Sequence, residues 1–242
     1  MNGNGTTKRR GPVIELQDVR ASYGRIEVLH GVDLAVPAGK VVALLGPNGA
    51  GKTTTLKVAN GQMATDVGCV HICGRHVNGV NPDALARIGV CTIPEGRGVF
   101  RNLTVRENLR MLAFTGAGDE VFDRAFHRFP RLKERAGQVA GTLSGGEQQM
   151  LAMARGLATD PAVLLIDELS MGLAPLIVSE LYELVAQIAA GGVSILVVEQ
   201  FARTVLGVAD LAVVMQQGRV VASGVPSELE DELSAAYLGA SP

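Results

Sequence analysis

The chain has no tryptophan, 4% aromatic residues in all, and three cysteines among its 242 residues. With so few rings it lacks the stacked aromatic platforms on which proteins hold bases or sugars. Cys69, Cys73 and Cys91 are odd in number, and no His/Cys pair at finger spacing follows the first two. Reduced, buried thiols are therefore expected in preference to a zinc site, and a reducing compartment fits them. Long apolar runs are also missing. The longest, at residues 41–45 and 195–198, fall far short of the ~18 residues that span a bilayer. Nor is there an excess of one charge: 22 Lys and Arg stand against 24 Asp and Glu. No basic excess in that balance advertises nucleic acid or anionic lipid as a partner. The one dense basic run, Lys8, Arg9 and Arg10, lies in a Gly/Asn/Thr-rich stretch, residues 1–11. It reads as a disordered leader, with too little apolar content for a signal peptide.

What is present is a core. Hydrophobic residues make up 47% of the chain, enough for one large domain without disulfides. Short apolar runs alternate with helical patterns, the mark of an α/β fold. Residues 41–45, 163–166 and 194–198 read as buried strands, and a helix is expected from about Lys52. Ile177, Val178, Leu181, Leu184, Val185 and Ile188 recur at helical spacing before a Gly191–Gly192 stop. Residues 211–215 and 219–222 flank Gln216, Gln217 and Gly218 as a hairpin, and residues 13–19 and 32–36 read as strands joined around Tyr23 and Gly24. Between about 95 and 156 strand signals vanish. Thr104 and Glu107 make a capping-box pattern ahead of residues 108–114, so this stretch is expected to be a helical insertion in a single domain spanning 12–242.

Three motifs carry chemistry. Gly46, Pro47, Asn48, Gly49, Ala50, Gly51, Lys52 and Thr53, continued by Thr54, match the phosphate-loop pattern in full. Its glycines let successive N–H groups curl around phosphates, and the following helix aims its positive end at them. Lys52 is expected to reach the β/γ-phosphates and Thr53 to ligate Mg²⁺. A buried strand then ends in Asp167 and Glu168. Such a pair alone is more often a turn or helix cap; beside a phosphate loop it supplies a metal-side carboxylate and a base for water. Third, Leu143, Ser144, Gly145, Gly146, Glu147, Gln148 and Gln149 form a second capping box at a glycine-stripped helix start.

This heptapeptide resembles the signature of the ATP-binding cassette (ABC) family, and the resemblance runs from about residue 13 to residue 238. It implies a phosphate-loop NTPase fold with a mixed core sheet, an N-terminal antiparallel β part and a helical insertion. It also implies two cassettes packed head to tail, so that Ser144, Gly145 and Gly146 of one bind the γ-phosphate held by the other. Tyr23 aligns with the aromatic that stacks on adenine in this family.

Four positions depart from the common pattern: Glu95 for a Gln that contacts the γ-phosphate side, Gln200 for a switch His, Ala174 for an Asp in the dimer-contact loop, and Leu169 for a Pro. The first three resemble one branch, the second ATP-binding subunit (LivF type) of branched-chain amino acid importers; Leu169 departs even from that branch. Residues 129–135 and 172–175 point the same way. The resemblance thus implies ATP hydrolysis powering import of branched-chain or related amino acids, with Glu168 as base, Gln200 and Lys52 assisting, and Mg²⁺ held by Thr53, Asp167 and Glu95. It implies a second ATP-binding subunit, hetero- before homodimeric, two integral-membrane permease subunits, an indirect binding protein, and a cytoplasmic, peripheral place on the inner face of the cell membrane. Permease contact is expected through the insertion and residues 95–102. An importer of amides or urea-like solutes is the near alternative. A soluble cassette ATPase acting on DNA or ribosomes is the distant one, weakened by a single cassette, no sustained heptads and a slightly acidic balance.

Overall fold

A computed structural model describes residues 11–96, 98–111, 118–229 and 231–233. The basic leader (residues 1–10), Arg97, the end of the helix expected over 108–114 and the last residues of the resemblance fall outside the described residues.

Two sheets organise the chain. The first is antiparallel, in the order β2 (Ile26–Val36), β1 (Ile14–Tyr23), β4 (Val67–Ile72), β5 (Arg75–His76). The second has the order β10 (Arg219–Gly224), β9 (Leu211–Gln216), β3 (Val41–Leu45), β8 (Ser194–Glu199), β7 (Val163–Asp167), β6 (Val90–Ile93). Its inner strands run parallel and β10 alone pairs antiparallel. The fold is that of a phosphate-loop α/β protein with a mixed core sheet and an antiparallel part.

Continuous apolar strands such as β3, buried at every position, belong between two layers. Side-chain alternation divides them cleanly. Val41, Ala43 and Leu45 enter the core that holds the helices α3 to α7, whereas Val42 and Leu44 pack toward the antiparallel sheet and helix α1. The helices are α1 (Lys52–Ala59), α2 (Pro82–Arg87), α3 (Val105–Arg110), α4 (Gly118–Arg128), α5 (Pro130–Glu134), α6 (Gly145–Ala158), α7 (Pro175–Ala190) and α8 (Ala202–Leu206).

The N-terminal strands are longer than the pattern predicts, reaching the two residues Gly24 and Arg25 between β1 and β2. Strands β4 and β6 were not legible: β4 (VGCVHI) interrupts its apolar run with glycine and histidine, and β6 has four residues. Both capping boxes form, at Thr104 with Glu107 and at Ser144 with Glu147. Among the described residues no helix is long and apolar enough to cross a membrane.

Candidate functional site

Parallel register brings the three motif-bearing strands together. Leu45 at the end of β3 pairs with Glu199 on β8, and Val198 pairs with Asp167 on β7. The loop after β3, the carboxylates after β7 and Gln200 after β8 therefore share one edge of the sheet, where α/β proteins bind ligands.

The loop's glycines have separate causes. Gly46 has φ 152°, and a Cβ there would stand 2.2 Å from the Met215 carbonyl oxygen; Gly51, at φ 102°, would meet Leu29 at 2.9 Å. Gly49 takes φ 80° with open space around it, a purely conformational need. Helix α1 has Gly51 as its N-cap and no side-chain cap bond, so its first N–H groups keep their donors for an anion. The β9–β10 turn braces the loop from outside: Gln217 and Gly218 both take positive φ, and the Gly218 N–H donates to the Ala50 carbonyl at 2.9 Å. A two-residue turn of this kind suits the twist of a hairpin.

Lys52 is 5% exposed and donates from Nζ to the carbonyls of Gly46 at 2.8 Å and Pro47 at 3.1 Å. Burial lowers its pKa, and Glu168, Asp167 and Glu199 partly restore it. The Thr53 hydroxyl, on the solvent side, lies 3.4 Å from Asp167 Oδ1. Burial pushes the Asp167 carboxyl up; Thr53 opposes this, and the Glu95 charge adds to it. Glu168 is likewise pushed up by burial and by Glu95, with Lys52 pulling back. Its backbone has φ 49°, and its N–H donates to the Val198 carbonyl at 3.0 Å. A bulky residue in the left-handed region stores ~1–3 kcal/mol of strain, typical of functional positions. Glu95 is exposed and Gln200 half-buried.

Tyr23 ends β1 as a 48% exposed residue, and its hydroxyl accepts from Lys57 Nζ at 3.3 Å. A hydrogen bond with Thr54, together with Lys57, holds the phenol below its ordinary pKa against the opposing effect of burial. Thr54 itself is buried.

The turn at residues 144–146 stands at a helix start with its capping box formed, and its second glycine has a packing cause as well. Ser144 is exposed, but Gly146 is buried, and a Cβ on it would stand 2.3 Å from Ile177 Cγ2 on α7. Gly146 is small so that α6 can approach α7, while the N–H groups of the turn still point off the helix end. The Ser144 hydroxyl accepts the Glu147 N–H at 3.4 Å and in turn acts on the Glu147 carboxylate, so the side chain closes the capping box from both directions.

Sequence reasoning missed Glu199. It is 1% exposed, accepts from the Ser170 N–H at 2.9 Å and hydroxyl at 2.8 Å, and is bonded by the Tyr182 hydroxyl. It thereby ties β8, beside Gln200, to the loop after Glu168 and to α7. Only its place beside Gln200 hinted at this, because its partners lie far along the chain. Leu169 is buried at 1% exposure, and its carbonyl accepts from Gln149 Nε2 at 3.2 Å. Packing and this bond hold the segment where a proline's fixed φ would otherwise act.

Among the described residues no group of three or more His, Cys, Asp or Glu side chains could hold a metal ion by itself. The donor set of one hydroxyl beside a carboxylate suits Mg²⁺, which keeps substrate phosphates and water among its ligands.

Comparison with known proteins agrees with this geometry. The ABC transporter family matches residues 29–170. The high-affinity branched-chain amino acid transport ATP-binding protein BraG of Pseudomonas aeruginosa is 40% identical over 232 residues, 94% of this chain and 100% of that protein. The probable branched-chain amino acid transport ATP-binding protein LivF of Archaeoglobus fulgidus is 35% identical over 87% of this chain and 91% of its own length. The crystal structure of an ATP-binding cassette of an ABC transporter in its ADP conformation superposes with a TM-score of 0.84 at 25% identity, covering 94% of this chain and 99% of that one. The chain belongs to the ATP-binding cassette family of ABC transporters.

Proposed function

We propose that this cassette hydrolyses ATP to drive import of branched-chain or related amino acids through a membrane permease. The observation that carries the reading is the shared sheet edge on which Lys52, Thr53, Asp167 and Glu168 converge, in a chain 40% identical to a branched-chain amino acid transport ATP-binding protein. In this reading residues 12–242 form one ATP-binding domain, in which about 95–156 moves as a helical unit.

The N–H groups of residues 46–54 and the Lys52 ammonium bind the β/γ-phosphates, with Tyr23 stacking on adenine. Lys52 gives two of its three N–H donors to the Gly46 and Pro47 carbonyls, so the third can reach a phosphate oxygen, a charged and stronger acceptor. Thr53 and Asp167, with Glu95, would hold Mg²⁺, which when bound neutralises charge on the transferring phosphoryl group. Glu168 orients water and takes its proton, and Gln200 holds water or γ-phosphate by donating and accepting hydrogen bonds without a change of charge.

Residues 144–146 complete the site of a second ATP-binding subunit, in this branch a different chain. Two permease subunits dock against the insertion and residues 95–102, with the cassette peripheral on the inner face of the membrane and a binding protein delivering the solute. Phe100, 46% exposed beneath the Arg155 guanidinium at 4.6 Å, offers an apolar contact there. Purification from detergent-solubilised membranes should yield this chain with two permease chains and an ATPase stimulated by a leucine-loaded binding protein. Salt-sensitive nucleic-acid binding by a chain that never co-purifies with a permease would overturn the reading.

A further inference from the structure

Glu147 sits in the first turn of α6, where the proposed function brings a partner's γ-phosphate. A carboxylate there adds negative charge to an anion site. The structure surrounds it with counter-charge. Arg135 Nε stands 2.6 Å from Glu147 Oε1, and the Glu147 side chain is only 13% exposed. Arg131, four residues earlier on α5, acts on the same carboxylate and bonds Glu180 of α7 at 3.0 Å. Burial alone would raise the Glu147 carboxyl; the Ser144 N–H and hydroxyl, Arg135 and Arg131 outweigh it and hold the group below its ordinary value, ionised.

The contacts continue toward the turn. Arg135 donates to Gln138 Oε1 at 3.1 Å, Gln138 Nε2 donates to Thr142 Oγ1 at 3.0 Å, and Glu147 Oε2 accepts the Ser144 N–H at 2.8 Å. One arginine thus touches both the carboxylate that caps the turn and the chain leading into it.

We propose that Arg135 is a positioning residue for the signature turn: it neutralises Glu147 and fixes the capping box, so that a partner's triphosphate meets Ser144 and Gly145 without a net negative charge behind them. This rests on the reading of residues 144–146 as the contact made in trans. Glutamine at position 147 keeps a capping box while removing the charge, so compensation becomes unnecessary.

The test is steady-state ATPase of the assembled transporter purified from membranes, with circular dichroism of each cassette as the folding control. Arg135→Gln should raise the KM for ATP about tenfold with kcat little changed. The double variant Arg135→Gln/Glu147→Gln should return to within about twofold of wild type. Three results would overturn the proposal: an unchanged KM in Arg135→Gln, a fall in kcat instead, or a double variant as impaired as the single. Ser144→Arg separates the underlying reading. Wild-type turnover in that variant would remove the trans contact itself; lost turnover beside an unaffected Arg135→Gln would leave that contact standing and sink only the role of Arg135.

Discussion

At the scale of residues, the site is a set of groups held away from their solution behaviour. Glu168 combines a left-handed backbone with a carboxyl pushed up by burial and by Glu95. A base must be ionised to take a proton, so turnover should rise with pH through a value above the ordinary carboxylate range, and no histidine stands at position 200 to add a second titration there. Glu168→Gln should cut kcat by ~10²–10⁴-fold with ATP binding retained; a variant hydrolysing at the wild-type rate would remove Glu168 from the mechanism. Asp167 bears on stability. Its folded pKa lies above the ordinary 3.8, so between the two values the folded state binds more protons than the unfolded, and stability falls as pH rises. Above both values the cost persists in full. Asp167→Asn should therefore raise the melting temperature of nucleotide-free, Mg²⁺-free protein at pH 7, and the gain should vanish at pH 3. A variant less stable at pH 7 would contradict the sign of the shift.

At the scale of elements, what could be read from the amino-acid order was whatever depends on near neighbours. The phosphate loop, both capping boxes, the 216–218 hairpin and the helix of residues 175–190 are written in local residue types, and they form where expected. What escaped depends on partners far along the chain. The Gly218 brace on Ala50 joins positions 168 apart, and the Glu199 bonds to Ser170 and Tyr182 reach back 29 and 17 residues. No periodicity encodes such meetings. Gly146 shows how a correct motif can carry an unforeseen cause: its missing side chain is demanded by Ile177. Gly146→Ala should cost ~1–3 kcal/mol from overpacking, seen as a lower denaturation midpoint, and Ile177→Ala should recover much of it. An unaltered midpoint in the single variant would show that α6 and α7 separate freely.

At the scale of the whole molecule, the mixed sheet serves as a plate. One edge gathers the phosphate loop, the paired carboxylates and Gln200, while the helical layer carries the turn of residues 144–146 on α6. ATP bound at that edge would be covered by a second cassette, so hydrolysis would alternately close and release a pair, and a permease attached to both would follow. All of this requires that the loop around Lys52 hold a triphosphate. Calorimetric titration of the full chain with Mg-ATP tests it most directly. One ATP should bind per chain, with a Kd in the range of about 1 μM to 1 mM usual for enzyme substrates, and Lys52→Ala should bind at least tenfold more weakly, as befits loss of a charged hydrogen bond worth ~1.5–3 kcal/mol. Folded protein that takes up no Mg-ATP, or that binds it equally well without the Lys52 ammonium, would contradict it.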